Sequence, residues 1–314
     1  MIQATVIIPA WNSESTLRAS VESALAQTEV FIEIIVVDDC STDGTRAVAG
    51  DLADAHSQVR ALTLARNGGP AAARNAALAT AKGVWVAVLD ADDKFCTGRL
   101  AALTEFGDRA GADIVCDGLV MHDAARDTRR TAVPAFGGDP EARDWTLGDY
   151  IAGNMHGAKG LSLGYLKPVF RRSFLLTHGM RYDETLRNGE DFHFVLEALA
   201  RGAVMRYRAD PGYVYSVGQI SISHRLNPDH AEALAHADLA FVARHERVLD
   251  AGSAAMMRQR ARSILDLASA EVALAALRHG KPVAAARALW RRRRATYRFL
   301  RQLAEAAATR LHRH

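Results

Sequence analysis

Four short runs of branched apolar residues, TVIIP, EIIVV, VRALTL and VWVAVL, recur through the first ninety positions with a helix-length segment between successive runs. Runs that are apolar at almost every position suit strands covered on both faces. Strands separated by helices form a mostly parallel sheet with helices on both sides. The helical patterns lie at about 14–27, 45–56 and 70–82, with Ser13 and Thr42 placed as N-caps. Ligands in such α/β sheets bind beyond the carboxyl ends of the strands. The polar residues there are Asn12 after the first run, Asp38 and Asp39 after the second, and Asp90, Asp92 and Asp93 after the fourth.

Five carboxylates gathered at neighbouring strand ends repel one another, so a cation or an array of donors has to offset them. In LDADD, Asp90 and Asp92 are two residues apart and share a side if extended geometry persists. One then holds a divalent ion while the other takes a ribose hydroxyl, and oxygen ligands favour Mg2+ or Mn2+. A short acidic motif also recurs as a plain solvated turn, so it carries weight only together with its neighbours. VVDDCSTDGT sets Asp39 at a strand end, where its carboxylate suits a base N–H or caps a loop. NGGPAAARN joins a tight Asn67-Gly68-Gly69 loop to a helix opened by Pro70, with Arg74 in the first turn. An arginine there reaches a phosphate or a base, or is a surface side chain. NGEDFHF sets Glu190 and Asp191 at a helix N-terminus, where the dipole favours negative charge.

Taken in order, IPAWN, VVDDCSTDGT, NGGPAAARN and LDADD resemble the nucleotide-binding half of the family 2 glycosyltransferases, over about residues 1–100. The resemblance implies the GT-A fold and an inverting transfer from a UDP-sugar donor. It implies that Trp11, where the family usually has Tyr, lies beside the uracil, keeping an aromatic face but no phenol. It implies that Asp39 contacts the base, that Arg74 belongs to the nucleotide pocket, and that Asp90 meets the ribose or sugar. By the same match Pro9, Asn12, Glu14, Asn67, Gly69 and Ala91 line the donor site, and Asp92 coordinates Mn2+ or Mg2+ on the diphosphate. Asp191 matches the general base, with Glu190 beside it orienting the loop or binding acceptor. YVYSVGQISISH resembles the segment that follows the base in many members, which makes His224 a candidate third metal ligand.

LGYLKPVFRRSFL is similar to bacterial exopolysaccharide glucosyltransferases of the succinoglycan type. Those add glucose to a polyprenyl-diphosphate-linked oligosaccharide at the inner face of the cytoplasmic membrane. Lys159, Lys167, Arg171 and Arg172 are then candidates for an anionic acceptor, or ordinary solvated charges. The middle of the chain otherwise reads as a strand at 113–116, a polar stretch around 122–144 and two short strands around 204–217. Residues 1–224 are expected to form the catalytic domain, with a donor half to about 112 and an acceptor half from 113. Residues 225–314 read as helical, broken near Gly252 and at Gly280 to Pro282.

Charge is unevenly spread along this second part. From Lys281 to His314 there are ten Lys or Arg and one acid, Glu305, giving +9. The other 280 residues carry 29 basic and 35 acidic side chains, giving −6, which argues against a nucleic-acid partner. At about 100° per residue, Arg287, Arg291, Arg294, Arg298 and Arg301 fall within roughly 40° of one line. A basic face beside an apolar one suits a helix lying on an anionic membrane; a helix packed on protein is the other reading. Cys40, Cys96 and Cys116 lie far apart with no CxxC, which fits a reducing compartment. The chain opens directly on a strand pattern, so no secretory signal is expected and the location is cytoplasmic, peripheral at the inner membrane face. The rivals are transfer of another UDP-sugar to a different cell-surface glycan, and a non-catalytic membrane scaffold that would need none of the four motifs.

Overall fold

The computed structural model describes residues 1–134, 143–155, 161–217, 227–290 and 296. The chain divides into two compact units, Met1–Ile220 and Ser221–His314.

In the first unit β1 (Ala4–Ala10), β2 (Ile32–Asp38), β3 (Val59–Thr63) and β4 (Trp85–Val88) pair in parallel in the order β3-β2-β1-β4. Helices α1 (Leu17–Leu25), α2 (Thr45–Ala55) and α3 (Pro70–Leu78) make the crossovers. Ile7 and Ile8, on opposite faces of β1, are both wholly buried, so both faces of the sheet are covered as the unbroken apolar runs require. The remaining elements are β5 (Lys94–Phe95), α4 (Arg99–Ala110), β6 (Ile114–Asp123), β7 (Thr128–Ala132), α5 (Leu147–Ala152), β8 (Val169–Arg171), α6 (Arg172–Thr177), α7 (Glu190–Ala200) and β9 (Met205–Val217). The sheet continues past β4 in the order β8-β6-β9-β5, and β7 forms a hairpin with β6. The short β8 lies antiparallel to both β4 and β6. It is the joint between the parallel half and the rest, giving a mostly parallel α/β sheet of GT-A type.

Several local expectations change. Ser13 and Thr42 are not N-caps; Thr16 precedes α1 and Gly44 precedes α2. The Ser13 carbonyl accepts from Thr16 and Leu17, so one extra turn separates it from the helix. Thr42 instead donates its amide to Asn12 Oδ1 at 2.9 Å. The two short strands around 204–217 are one thirteen-residue strand, β9, paired in parallel with β6 across a register shift between Asp117 and Leu119. The polar stretch after residue 122 holds β7, whose exposed residues hid the strand from an apolar pattern.

The second unit comprises α8 (Pro228–Arg244), α9 (Ala251–Arg278) and α10 (Pro282–Trp290). Asn227 and Asp250 cap the first two through side-chain acceptance from Asp229 N and Ser253 N. Ala270, Ala273 and Ala285 form a small apolar cluster joining α9 to α10, and Arg260 pairs with the buried Asp238 between α9 and α8. Val283 and Trp290 of α10 are 82% and 88% exposed, so this short helix presents apolar side chains outward. Of the arginine stripe, Arg287 is described; Arg291, Arg294, Arg298 and Arg301 lie outside the described residues. No helix of the described residues is long and apolar enough to cross a membrane.

Candidate active site

The loops after β1 and β2 fix one another. Asn12 and Cys40 both adopt left-handed backbone, at φ 49° and 57°, which a non-glycine residue takes only under constraint. The constraint is visible: Asn12 N donates to Ser41 Oγ, Asn12 Oδ1 accepts from Thr42, and Glu14 Oε2 accepts from Gly44 N at 2.9 Å. A Cβ on Gly44 would displace that Glu14 carboxyl group from its bond. Pro9, next to last in β1, stands opposite Val37, and Trp11 is 47% exposed on the loop.

The Asp39 carboxylate turns to the NGG loop, accepting from the amides of Gly68 and Gly69, both at 2.7 Å, while Asn67 Nδ2 donates to the Asp39 carbonyl. Burial outweighs these bonds and raises its pKa. Arg187, which the sequence did not single out, bonds Asn67 Oδ1 at 3.2 Å and lies against Gly69. Gly69, at φ 86°, has no room for a side chain there.

Extended geometry does not persist through LDADD. The chain turns at Asp90, whose carbonyl accepts from Asp93 N at 3.1 Å. Asp90 Oδ1 meets Arg74 Nη2 at 3.0 Å and Oδ2 meets Lys167 Nζ at 2.7 Å. Asp191 repeats the pattern, with Oδ1 3.3 Å from Arg74 Nη1 and Oδ2 3.1 Å from Lys167 Nζ. Glu190 Oε1 completes the cluster at 2.7 Å from Arg74 Nη1. Arg74 is therefore no surface side chain: it is 3% exposed and serves three carboxylates. Burial works against ionised Asp90, but Lys167 and Arg74 win and hold it down at about 2. Glu190 goes the other way, raised by burial and then by its neighbour Asp191.

Asp92 meets no cation in contact among the described residues, and its pKa is raised by burial and then by Asp90. A half-buried carboxylate in that state fits one ligand of a divalent ion, whose charge would relieve both causes. No group of three or more potential ligands forms among the described residues. His224, the other metal candidate, lies outside them, as does Lys159. Asp93 is bound from β9 by Tyr213 Oη and Ser216 N, each at 2.8 Å, while Ser216 Oγ donates to the Asp92 carbonyl at 2.6 Å. The last strand thus clamps the acidic turn, with Ala91 buried inside it.

The elements are held by a second set of contacts. Asn75, the final residue of NGGPAAARN, donates to Tyr182 O and Glu184 Oε1 and accepts from Tyr182 N. Tyr182 stacks on Phe194 of α7 with centroids 4.0 Å apart, so α3 and α7 stay in register. Arg171 does not face an acceptor: it packs on Trp85, bonds Ala112 O and pairs with Asp108 at 3.1 Å. Lys167 is also no solvated charge, being 7% exposed inside the cluster.

A sheet of this order, with carboxylates at the ends of β2 and β4 and at the start of α7, defines a GT-A-type transferase. The Glycosyl transferase family 2 model matches residues 5–165, and the chain belongs to that family: it is a glycosyltransferase. It is 38% identical over 266 residues to the succinoglycan biosynthesis protein ExoO of Rhizobium meliloti (strain 1021), covering 84% of this chain and 74% of that protein. A shorter match, 41% over 104 residues, covers 32% of this chain and 40% of the Escherichia coli UDP-Glc:alpha-D-GlcNAc-diphosphoundecaprenol beta-1,3-glucosyltransferase WfaP. The fold is similar to S. aureus TarS 1-349 in complex with UDP-GlcNAc, with TM-score 0.60, 18% identity and 92% and 91% of the two chains covered. It is also similar to the mannosyltransferase PcManGT from Pyrobaculum calidifontis in complex with GDP-Man and Mn2+, with TM-score 0.55, 19% identity and coverage of 92% and 88%.

Proposed function

We propose that this chain transfers glucose from UDP-glucose, with inversion, to a hydroxyl of a polyprenyl-diphosphate-linked saccharide during exopolysaccharide assembly. The observation that carries the reading is the junction of Asp90 and Asp191: the strand end that would meet the donor and the helix start that would meet the acceptor share two cations. Donor and acceptor bound on either side of that junction meet at the anomeric carbon. The likeness to ExoO supports the exopolysaccharide setting, and the shorter likeness to WfaP supports UDP-glucose and the lipid-linked acceptor.

In this reading residues 1–224 carry catalysis. Trp11 and the Asp39–Gly69 loop receive the uridine, with Pro9, Asn12, Glu14 and Asn67 shaping that pocket. Asp90 takes a ribose or sugar hydroxyl. Asp92, with His224 as a further candidate, holds Mn2+ or Mg2+, which supplies positive charge to the diphosphate leaving group. Asp191 accepts the acceptor hydroxyl's proton as the new C1–O bond forms and the C1–O bond to UDP breaks. Glu190 acts beside it through Arg74. The basic tail from Lys281 holds the enzyme reversibly on an anionic cytoplasmic membrane surface.

The test is UDP release from UDP-glucose in Mn2+ with GlcNAc-diphosphoundecaprenol as acceptor. Asp191→Asn should lose about 100-fold or more in kcat with little change in UDP affinity, as removal of a base does. Asp92→Ala should abolish transfer and weaken UDP binding in Mn2+. Tight UDP binding to the native protein in EDTA would defeat the metal assignment.

A further inference from the structure

We infer that Lys167 is a positioning residue for the transfer step, locking the orientation of the Asp191 carboxylate to that of Asp90; this rests on Asp191 being the base. Four carboxylate oxygens and two cations form a closed ring: Arg74 takes one oxygen of each aspartate, and Lys167 takes the other. A carboxylate held at one oxygen can swing about its Cα–Cβ and Cβ–Cγ bonds; held at both, by groups from different parts of the chain, its plane is fixed. Arg74 comes from α3 and Lys167 from the segment entering β8.

The lysine is itself built in place. Its backbone carbonyl accepts from Arg99 Nη2 at 2.7 Å, and Arg99 forks onto Asp117 through Nε and Nη2 at 2.9 and 2.7 Å. The Arg99 guanidinium lies against the rings of both Phe95 and Tyr213, at 4.8 and 5.3 Å from their centres. A Cβ on Gly212 would strike both Asp117 and Arg99, so the absence of a side chain there is part of the support. A buried ammonium is costly to desolvate and is kept only where carboxylates surround it with good geometry, as Asp90 and Asp191 do here. The groups facing Asp191 are Arg74, Lys167, Asp90, Glu190 and Tyr182. Without Lys167, one guanidinium would face three carboxylates.

The experiment compares wild type, Lys167→Met, Lys167→Arg, Asp191→Asn and each Lys167 variant combined with Asp191→Asn, all in the full chain. Each is assayed for UDP release with UDP-glucose and GlcNAc-diphosphoundecaprenol, and for UDP affinity by calorimetry. Lys167→Met should lose about 100-fold in kcat, the scale of a misplaced reacting group, with UDP affinity changed far less. Lys167→Arg should recover most of the rate. In the Asp191→Asn background Lys167→Met should cost almost nothing further. A full additional loss in that double variant, or a loss of UDP affinity as large as the loss in kcat, overturns the inference. If Lys167→Met does not fold, Lys167→Arg decides: recovered kcat supports the inference, and a loss of about 100-fold with UDP affinity intact in both the wild-type and the Asp191→Asn background overturns it. Near-normal turnover by Asp191→Asn is a separate failure, that of the base assignment.

Discussion

Arg74 illustrates how one side chain can hold a site together. It is buried beneath three carboxylates and lies 5.4 Å over the Tyr182 ring. Removing one member of such a buried set leaves uncompensated charge and costs about 3–5 kcal/mol. Arg74→Met should therefore lower the unfolding free energy from urea titration by that amount and abolish UDP release; Arg74→Lys should fold but lose the simultaneous contacts of the planar fork. Asp90 carries a pH signature. Its folded pKa, about 2, lies below its ordinary value of 3.8, so its contribution to stability is complete above about pH 4 and disappears as pH falls through 2. Asp90→Asn should destabilise by about 2 kcal/mol at pH 6, and the gap between variant and wild type should close between pH 4 and 2 in urea titrations.

At the scale of elements, the NGG loop with α3 is a unit whose geometry can be tested directly. Gly69 combines φ 86° with ψ 173°, a region a side chain enters at a cost of about 1–3 kcal/mol. Gly69→Ala would also displace Arg187, so it should lower the melting temperature and weaken UDP binding measured by calorimetry. This loop and the strands around it were readable from sequence because β1, β2 and β4 are buried on both faces and Pro70 opens α3 at its first position. The donor-side residues follow those strands within a few positions. Lys167 was singled out only as a candidate for an anionic acceptor and Arg187 not at all, because their partners lie 24 to 120 positions away and no motif marks those contacts. Nor was the course of β9, whose pairing is set by β6 and by the bonds from Ser216 and Tyr213 to Asp93. Helix starts failed for a nearer reason, since polar side chains in STDGT and NSEST bond the neighbouring loop instead of capping their own helices.

At the scale of the whole molecule, the charge difference between body and tail predicts behaviour at a surface. Each basic residue near an anionic bilayer contributes about 1 kcal/mol. Vesicles rich in anionic lipid should sediment the protein, neutral ones should not, and salt should release it. Changing Arg287, Arg291, Arg294, Arg298 and Arg301 to Glu should remove that binding while UDP affinity stays, since the proposed donor and metal residues all lie at or before His224. Equal sedimentation of the charge-reversed protein would make the tail a packing element. The sheet order has a consequence for synthesis as well. β4 is complete at Val88, but the strand that covers its far edge begins at Val169, about eighty residues later. At about 5–20 residues per second the ribosome leaves that edge bare for roughly 4–16 s. Throughout that interval Arg74 has been made but Glu190 and Asp191 have not. The nascent chain is a half-built sheet with an open border, in which Arg74 already has Asp90 but not yet the two carboxylates of α7 to answer it.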